Sequence, residues 1–429
     1  MPNVTADPSS QPPSAALSTG RAVLLVFLPF AGGYFLSYMV RSLNAVIAPQ
    51  LIGEIGLTAG DLGLLTSVYF ITFGAFQLPL GVLLDRYGPR RVQSALLLLA
   101  ALGALLFSLG HSRESLLVGR GLIGLGFAGG LMSSFKAITL WFPQQRWPLV
   151  NGCFLAMGGL GAIFATRPVE FLLGYTDWRG IFLGACVVVV AASSLIFLVV
   201  PEKPRSGPAV TLKRQVAGLG IVFRDRFFWR LMPISSSTMG TGLAVQGLWA
   251  GPWLHDVAGF DRGRVAGTLF ALTVGMTVGM VGSGLITEAL GRLRISVFQV
   301  LCGGTMLFIL LQCMFVFELA VGAVWPWVAF GFLSNIAVLA YPLLSSHFDL
   351  RYSGTANTGL NVLVIGGAFG VQYGIGAIID LWPPLPGGGF APPAYAAAFG
   401  IILALQALTF LWVLVPEGRG SKADAKAVA

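Results

Sequence analysis

The chain has 429 residues, of which 56% are hydrophobic and only 10% charged, with a net charge of +9. A soluble protein has about 25% charged residues, whereas here apolar runs of about 20 residues, each long enough to cross a bilayer as a helix, recur along nearly the whole length. This composition excludes a water-soluble enzyme and a nucleic-acid-binding domain, and predicts an all-α membrane protein.

Residues 1–20 are rich in Pro, Ser and Ala and predict a disordered tail. No cleaved signal peptide is evident, and Arg21 precedes a retained first helix. Twelve transmembrane spans are expected near 22–48, 60–82, 92–110, 115–142, 149–172, 178–200, 230–255, 264–286, 295–317, 325–347, 356–380 and 393–415. The longest polar interruption, 201–229, separates six spans from six and holds Lys203, Arg205, Lys213, Arg214, Arg224 and Arg226. The stretch from Trp382 to Gly389 contains Pro383, Pro384, Pro386 and three consecutive glycines, so it reads as a loop. The expected organisation is a cytoplasmic tail (1–20), an N-terminal six-helix bundle (21–200), a cytoplasmic linker (201–229), a C-terminal six-helix bundle (230–416) and a second cytoplasmic tail (417–429).

Of the 26 Lys and Arg residues, 18 fall on one side, four on loops of the other side (Arg113, Arg179, Arg262, Arg264) and four within spans (Arg41, Arg120, Lys136, Arg167). The positive-inside rule then puts both termini in the cytoplasm. The compact loops read as those of a bacterial inner membrane protein. Cys153, Cys186, Cys302 and Cys313 all sit inside spans, which argues against a disulfide framework. The three His are scattered and make no metal pattern. Neither a phosphate-binding Gly-Lys-Ser/Thr loop nor a catalytic triad is found, so no cofactor and no enzymatic activity are expected.

The segment Gly81-Val82-Leu83-Leu84-Asp85-Arg86-Tyr87-Gly88-Pro89-Arg90-Arg91 is a charged, turn-forming loop between two apolar spans. A weaker copy runs from Gly284 to Arg294, 203 residues later. Gly81 maps to Gly284, Asp85 to Glu288, Gly88 to Gly291 and Arg91 to Arg294; at the same offset Pro49 maps to Pro252 and Gly56 to Gly259. The repeat predicts two pseudo-symmetric six-helix bundles with a solute site between them. In the first loop Asp85 follows a helix end and is expected to accept from Arg86, Arg90, Arg91 or a neighbouring helix N-terminus.

A charge at mid-membrane costs about 2.5–3.5 kcal/mol on insertion scales, so each one needs a reason. Arg41 lies eight residues before Pro49, about 12 Å along a helix and too deep for easy snorkelling. With Tyr38 and Asn44 nearby it reads as a substrate-anion ligand, the alternative being an arginine bonded to backbone carbonyls or a neighbouring span. Lys136 either attracts anions or snorkels to the cytoplasmic surface. Arg167 and Glu170 stand at i, i+3 in the fifth span and either neutralise each other or form part of an outer gate. Among the 17 acids only Glu170 lies clearly inside a span, with Asp380 at the end of the eleventh. That supply is thin for symport built on a central acid, and Glu170 is the coupling candidate. Gln77, Gln246, Asn335, Asn357, Asn361 and Gln372 are expected to face a cavity. The seventh span offers Trp249 and Trp253, and its Gly and Pro residues predict an interrupted helix.

Twelve spans, a six-plus-six repeat and the Gly-x-x-x-Asp-Arg-x-Gly loop resemble the major facilitator superfamily over about residues 22–415. The resemblance implies the major facilitator fold and makes Gly81, Asp85, Arg86, Gly88, Arg90 and Arg91 a latch on the cytoplasmic gate. Glu288 and Arg294 would form a weaker latch in the second half, where Ala289 replaces the Arg. A second family motif looks present from Arg120 to Gly126, and it implies contact between Arg120 and a coupling proton, helix packing being the alternative. The first-span stretch Val40-Arg41-Ser42-Leu43-Asn44, followed by Pro49, resembles the organophosphate:phosphate antiporters, whose Arg at this point binds substrate phosphate. Their second substrate Arg maps to Ala244, so a monoanion, a carboxylate or a larger organic anion fits better than a phosphate monoester. The fifth span keeps the glycines of drug antiporters of the superfamily but lacks their Gly-Pro dipeptide.

The expected protein is thus a monomeric secondary active transporter, symporter or antiporter, that moves a small solute, an organic anion, by rocker-switch alternating access. Its partners would be that solute, a proton or counter-anion, and the lipid bilayer. The substrate-binding candidates are Arg41, Tyr38, Asn44, Lys136, Gln246, Trp249, Trp253, Asn357, Asn361 and Gln372; the coupling candidates are Arg120, Arg167 and Glu170. The rival readings are a drug or amphiphile exporter of the same superfamily and a transporter-like solute sensor.

Overall fold

The computed structural model describes residues 18–143, 146–202, 219–383, 385 and 389–415. Most of the two expected tails, linker residues 203–218 and part of the Pro-Gly loop lie outside the described residues. Twelve helical passes follow in order: α1 (19–55), α2 (59–87), α3 (89–108), α4 (113–141), α5 (147–172), α6 Trp178–Val199, α7 (226–256), α8 Arg262–Arg292, α9 Val297–Val316, α10 (325–347), α11 Leu350–Ile379 and α12 Pro392–Leu414. No strand occurs among the described residues. Many passes open on a polar cap: the side chains of Thr58, Ser112, Asp177, Asp225, Asp261 and Ser296 each accept the backbone N–H three residues on, which satisfies donors that a helix start leaves orphaned.

Eleven passes contain a stretch long and apolar enough to cross a membrane. The exception is α7, whose Ser235-Ser236-Ser237-Thr238 run lowers its hydropathy. It packs between α11 and the end of α1, and its central residues Val245 to Leu254 are all buried. A pass walled in by protein on most sides has little contact with lipid, so its polarity is tolerated.

The halves, α1–α6 and α7–α12, meet through α1 with α7, α2 with α11 and α5 with α8. Internal symmetry holds where glycine sits at equivalent turns. Gly56 ends α1 at φ 73°, and Gly259, 203 residues on, follows α7 at φ 64°; this left-handed conformation carries no Cβ penalty for glycine. The latch loop is shorter than expected. A single helical run, Ala59–Ser108, is broken only at Gly88 (φ 78°, ψ 161°), and Pro89 opens the next helix. Asp85 therefore lies in the last turn of α2 and does not follow its end. The second copy departs from the first: Gly291 stays inside α8, and the left-handed turn falls on Arg294 at φ 61°. Proline explains the difference, because it pushes the preceding residue out of the helical region and no proline follows Gly291.

Four passes are irregular near mid-length. A turn at Leu43 interrupts α1, Ala128 and Gly129 separate the two segments of α4, a π-helical segment Val245–Trp249 interrupts α7, and a 3-10 segment Ile336–Leu339 interrupts α10. The interrupted seventh span expected from Gly and Pro is present. Irregular backbone at membrane depth persists only where protein or a cavity surrounds it, and each of these four passes contributes to the wall of the cavity described next.

Candidate functional site

A cavity of about 210 Å³ lies between the halves. Its wall is formed largely by α1 (Tyr38, Arg41), α2 (Tyr69, Gln77), α4 (Phe127), α7 (Gln246), α8 (Thr273), α10 (Asn335) and α11 (Asn361). The lining reaches from mid-depth toward the end of the bundle that carries Asp85, through Gln77, Met132 and Met280. Arg41 is the sole charged side chain among the lining residues, and no carboxylate is among them. Its guanidinium stands 3.9 Å from the Tyr38 ring centroid, and the Tyr34 hydroxyl donates to that of Tyr38 at 3.1 Å. The stacked ring covers one face of the guanidinium and leaves its N–H edge for an acceptor.

Behind this wall, Arg120 is fully buried. It donates from Nη1 to the Val40 carbonyl at 3.1 Å and from Nη2 to the Arg41 carbonyl at 3.0 Å. Both carbonyls belong to the last turn of the helical segment Leu28–Ser42, where a helix leaves acceptors unpaired. Arg120 thus fixes the backbone that carries Arg41.

The other expected substrate residues divide. Gln246 and Asn361 line the cavity with Tyr38 and Arg41. The other six do not line it. Asn44 is buried and donates to Thr66 Oγ1 at 2.7 Å. Asn357 donates to Ser345 at 2.9 Å. Trp249 donates to the Gln372 backbone carbonyl at 3.0 Å. The buried Gln372 amide fits with its nitrogen toward the Ala244 carbonyl and its oxygen toward Trp249 Nε1, each at 3.1 Å. Trp253 packs on Trp327 and Phe315, with ring centroids at 5.2 and 5.8 Å. Lys136 forms an ion pair with Asp85.

That last pair corrects the expected latch. The Asp85 carboxylate takes Lys136 of α4 in place of a neighbouring arginine. Arg90 donates instead to the Phe197 carbonyl at 2.7 Å, and Arg91 pairs with Glu202 at 3.0 Å. Arg86 lies over the ring of Tyr87, 5.3 Å from its centroid. In the second half Glu288 pairs only locally, with Arg292 at 3.0 Å, and both are exposed. Glu170 pairs at 3.5 Å with Arg262 of the opposite half, in place of Arg167, while Arg167 lies beside Gly267 of α8.

Toward the other end of the bundle the halves are cross-linked. Asp380, which follows the end of α11, accepts from the Gly60 N–H at 2.8 Å and the Thr58 hydroxyl at 2.9 Å. A carboxylate of one half thereby caps the N-terminus of α2 in the other, where the helix dipole favours negative charge. Opening this end must break the cap. We expect Asp380→Asn to raise maleimide labelling of an Ala45→Cys probe, buried beside Gly251 in the same closed region, by about fivefold in a background free of the native cysteines. Unchanged labelling would show that the cap does not hold this end shut.

The profile of the Major Facilitator Superfamily matches residues 30–370. The chain belongs to this superfamily. A probable sulfoacetate transporter of Cupriavidus necator is 27% identical over 358 residues, 77% of this chain and 82% of that one. A nitrate/nitrite transporter of Picosynechococcus is 25% identical over 248 residues, 50% of this chain and 45% of that one. The crystal structure of a bacterial homolog of the human lysosomal transporter Spinster, inward-facing and unoccupied, matches the fold with a TM-score of 0.73 at 17% identity, covering 93% of this chain and 96% of that one. The family and the fold make the chain an integral membrane transporter and not an enzyme.

As a superfamily member, the chain hides part of its cavity from sequence reasoning. Tyr34 and Tyr69 sit in apolar runs, where they read as core. Their signal is positional: Tyr34, Tyr38 and Arg41 recur at helical spacing on one face of α1.

Proposed function

We propose that this protein is a secondary transporter of a small organic anion, held at Arg41 and moved by alternating access. The observation that carries the reading is Arg41 itself, a cation facing the central cavity with no acid among the lining residues. A charge in such a place needs a counter-ion, and a solute anion supplies one. The same lack of acid counts against a cationic drug. The relatives described as carrying sulfoacetate and nitrate or nitrite agree in the sign of the solute's charge. The first-span likeness to organophosphate:phosphate antiporters supports a single clamp. Ala244, where their second Arg would fall, is buried and apolar, so one negative charge is matched.

In this reading the Asp380 end is closed, the Asp85 end is open to the cytoplasm as the positive-inside rule orients it, and the protein works as a monomer in a bacterial inner membrane. The Asp85–Lys136 pair belongs to the gate that closes when the halves rock. The test is a thermal-shift screen of purified protein against organic monoanions, organic dianions, nitrate, phosphate esters and cationic dyes, since a ligand of the folded state raises its melting temperature. We expect monoanions to stabilise and cations not to. Stabilisation by dyes alone moves the chain to the exporters. Binding without flux in proteoliposomes makes it a sensor.

A further inference from the structure

The amides of the cavity have a polarity, and it points to a substrate class. The Gln77 side-chain nitrogen donates to the Ala128 carbonyl at 3.1 Å. The Asn335 nitrogen donates to the carbonyls of Met276 at 3.0 Å and Gly331 at 3.3 Å. A backbone carbonyl only accepts, so these contacts fix each amide with its nitrogen to the wall and its oxygen as the free end. Gln246 and Asn361 bond instead to hydroxyls, of Ser42 at 3.0 Å and of Tyr341 at 3.2 Å; a hydroxyl both donates and accepts, so these two amides can present either end. The cavity therefore offers Arg41 as a cationic donor, the oxygens of Gln77 and Asn335 as fixed acceptors, and Gln246 and Asn361 as amides that can donate or accept, beside the hydroxyls of Ser37, Tyr38 and Tyr69.

Resting on the anion reading above, we propose that the site selects hydroxylated monocarboxylates. A carboxylate meets Arg41, and neutral hydroxyl groups along the rest of the molecule donate to Gln77 and Asn335, with Gln246 and Asn361 turning to donate or accept. A hydroxyl suits this lining because it both donates and accepts. An ammonium group would also satisfy the amide oxygens, but it would sit in the field of Arg41 with no carboxylate in the lining to pair with it. A plain alkyl carboxylate would strip water from the two fixed acceptors and return nothing, and sites built on hydrogen bonds reject such analogues strongly.

The experiment is a pairwise thermal-shift titration of purified full-length protein: gluconate against hexanoate and lactate against propionate, on wild type, Gln77→Leu, Asn335→Leu and Arg41→Gln. In wild type the hydroxylated member of at least one pair should bind about tenfold or more tighter than its deoxy partner. Either Leu substitution should remove most of that preference, weakening the hydroxylated acid while the deoxy acid binds no more weakly than to wild type. The wild-type comparison needs no substitution, so it stands even if the Leu variants fold poorly. Equal binding within both pairs, or a preference that survives both Leu substitutions, overturns the proposal. If Arg41→Gln abolishes carboxylate binding but wild type shows no hydroxyl preference, this inference fails alone. If no carboxylate depends on Arg41, the anion reading fails and takes this inference with it.

Discussion

Arg41→Gln should lower the affinity for the transported anion by about two orders of magnitude and leave uptake into proteoliposomes near background. Arg41 carries several N–H donors, and each hydrogen bond to a charged partner is worth about 1.5–3 kcal/mol net. A two-pronged carboxylate contact therefore accounts for about 3 kcal/mol or more. Gln keeps much of the length and polarity but loses the charge and the fork, so Arg41→Lys separates the two: it restores charge without planar geometry and should recover only part of the affinity. The protein itself should tolerate the loss. Arg41 stacks on Tyr38 at 3.9 Å and has no carboxylate in the lining to leave behind. A melting temperature without ligand that stays close to wild type, with the anion-induced shift gone, is the expected pair of readings. An unchanged anion-induced shift would remove Arg41 from the binding site.

Arg120→Leu should instead damage the fold. The substitution deletes two charge-assisted bonds from a fully buried side chain to the carbonyls of Val40 and Arg41. Each buried carbonyl left without its donor costs about 1–3 kcal/mol, so a loss of a few kcal/mol is expected. The loss should appear as a lower melting temperature and poor yield in detergent. Arg120→Lys is the more informative variant. A single ammonium keeps the charge but cannot span two successive carbonyls as a planar fork does. It should fold, yet weaken anion binding about tenfold, because the backbone under Arg41 is no longer fixed. A variant that folds and binds like wild type would show that Arg120 only fills space. If the contact of Arg120 with a coupling proton is its main role, Arg120→Lys should alter the pH dependence of uptake more than the affinity.

These expectations rest on contacts of different legibility. Apolar runs of membrane length are written in the chain, because lipid offers no partner for a backbone polar group and each pass must satisfy its own. The repeat was legible too, since Gly56 and Gly259 mark the same left-handed turn. So was the depth of Arg41, which follows from helical rise and the distance to Pro49. Pairing was not legible. The sequence places Asp85 beside three arginines, yet its partner is Lys136, 51 residues away and on another pass. Glu170 has Arg167 one turn away, yet it meets Arg262 across the halves. Charges on a helix reach several neighbours at similar cost, and only the packing of passes decides which one is near.

The amides show the same limit. Composition marks Gln77, Asn335, Asn361 and Gln372 as polar groups that need an interior partner. The tertiary structure turns Gln372 into a link between α7 and α11 and leaves the other three in the cavity wall. The sequence by itself determined that this chain is a duplicated twelve-pass bundle with a cation deep in its first pass. The tertiary structure alone decided which polar groups face that cation and in which orientation, because a hydrogen bond depends on angles and distances between passes that no local pattern encodes.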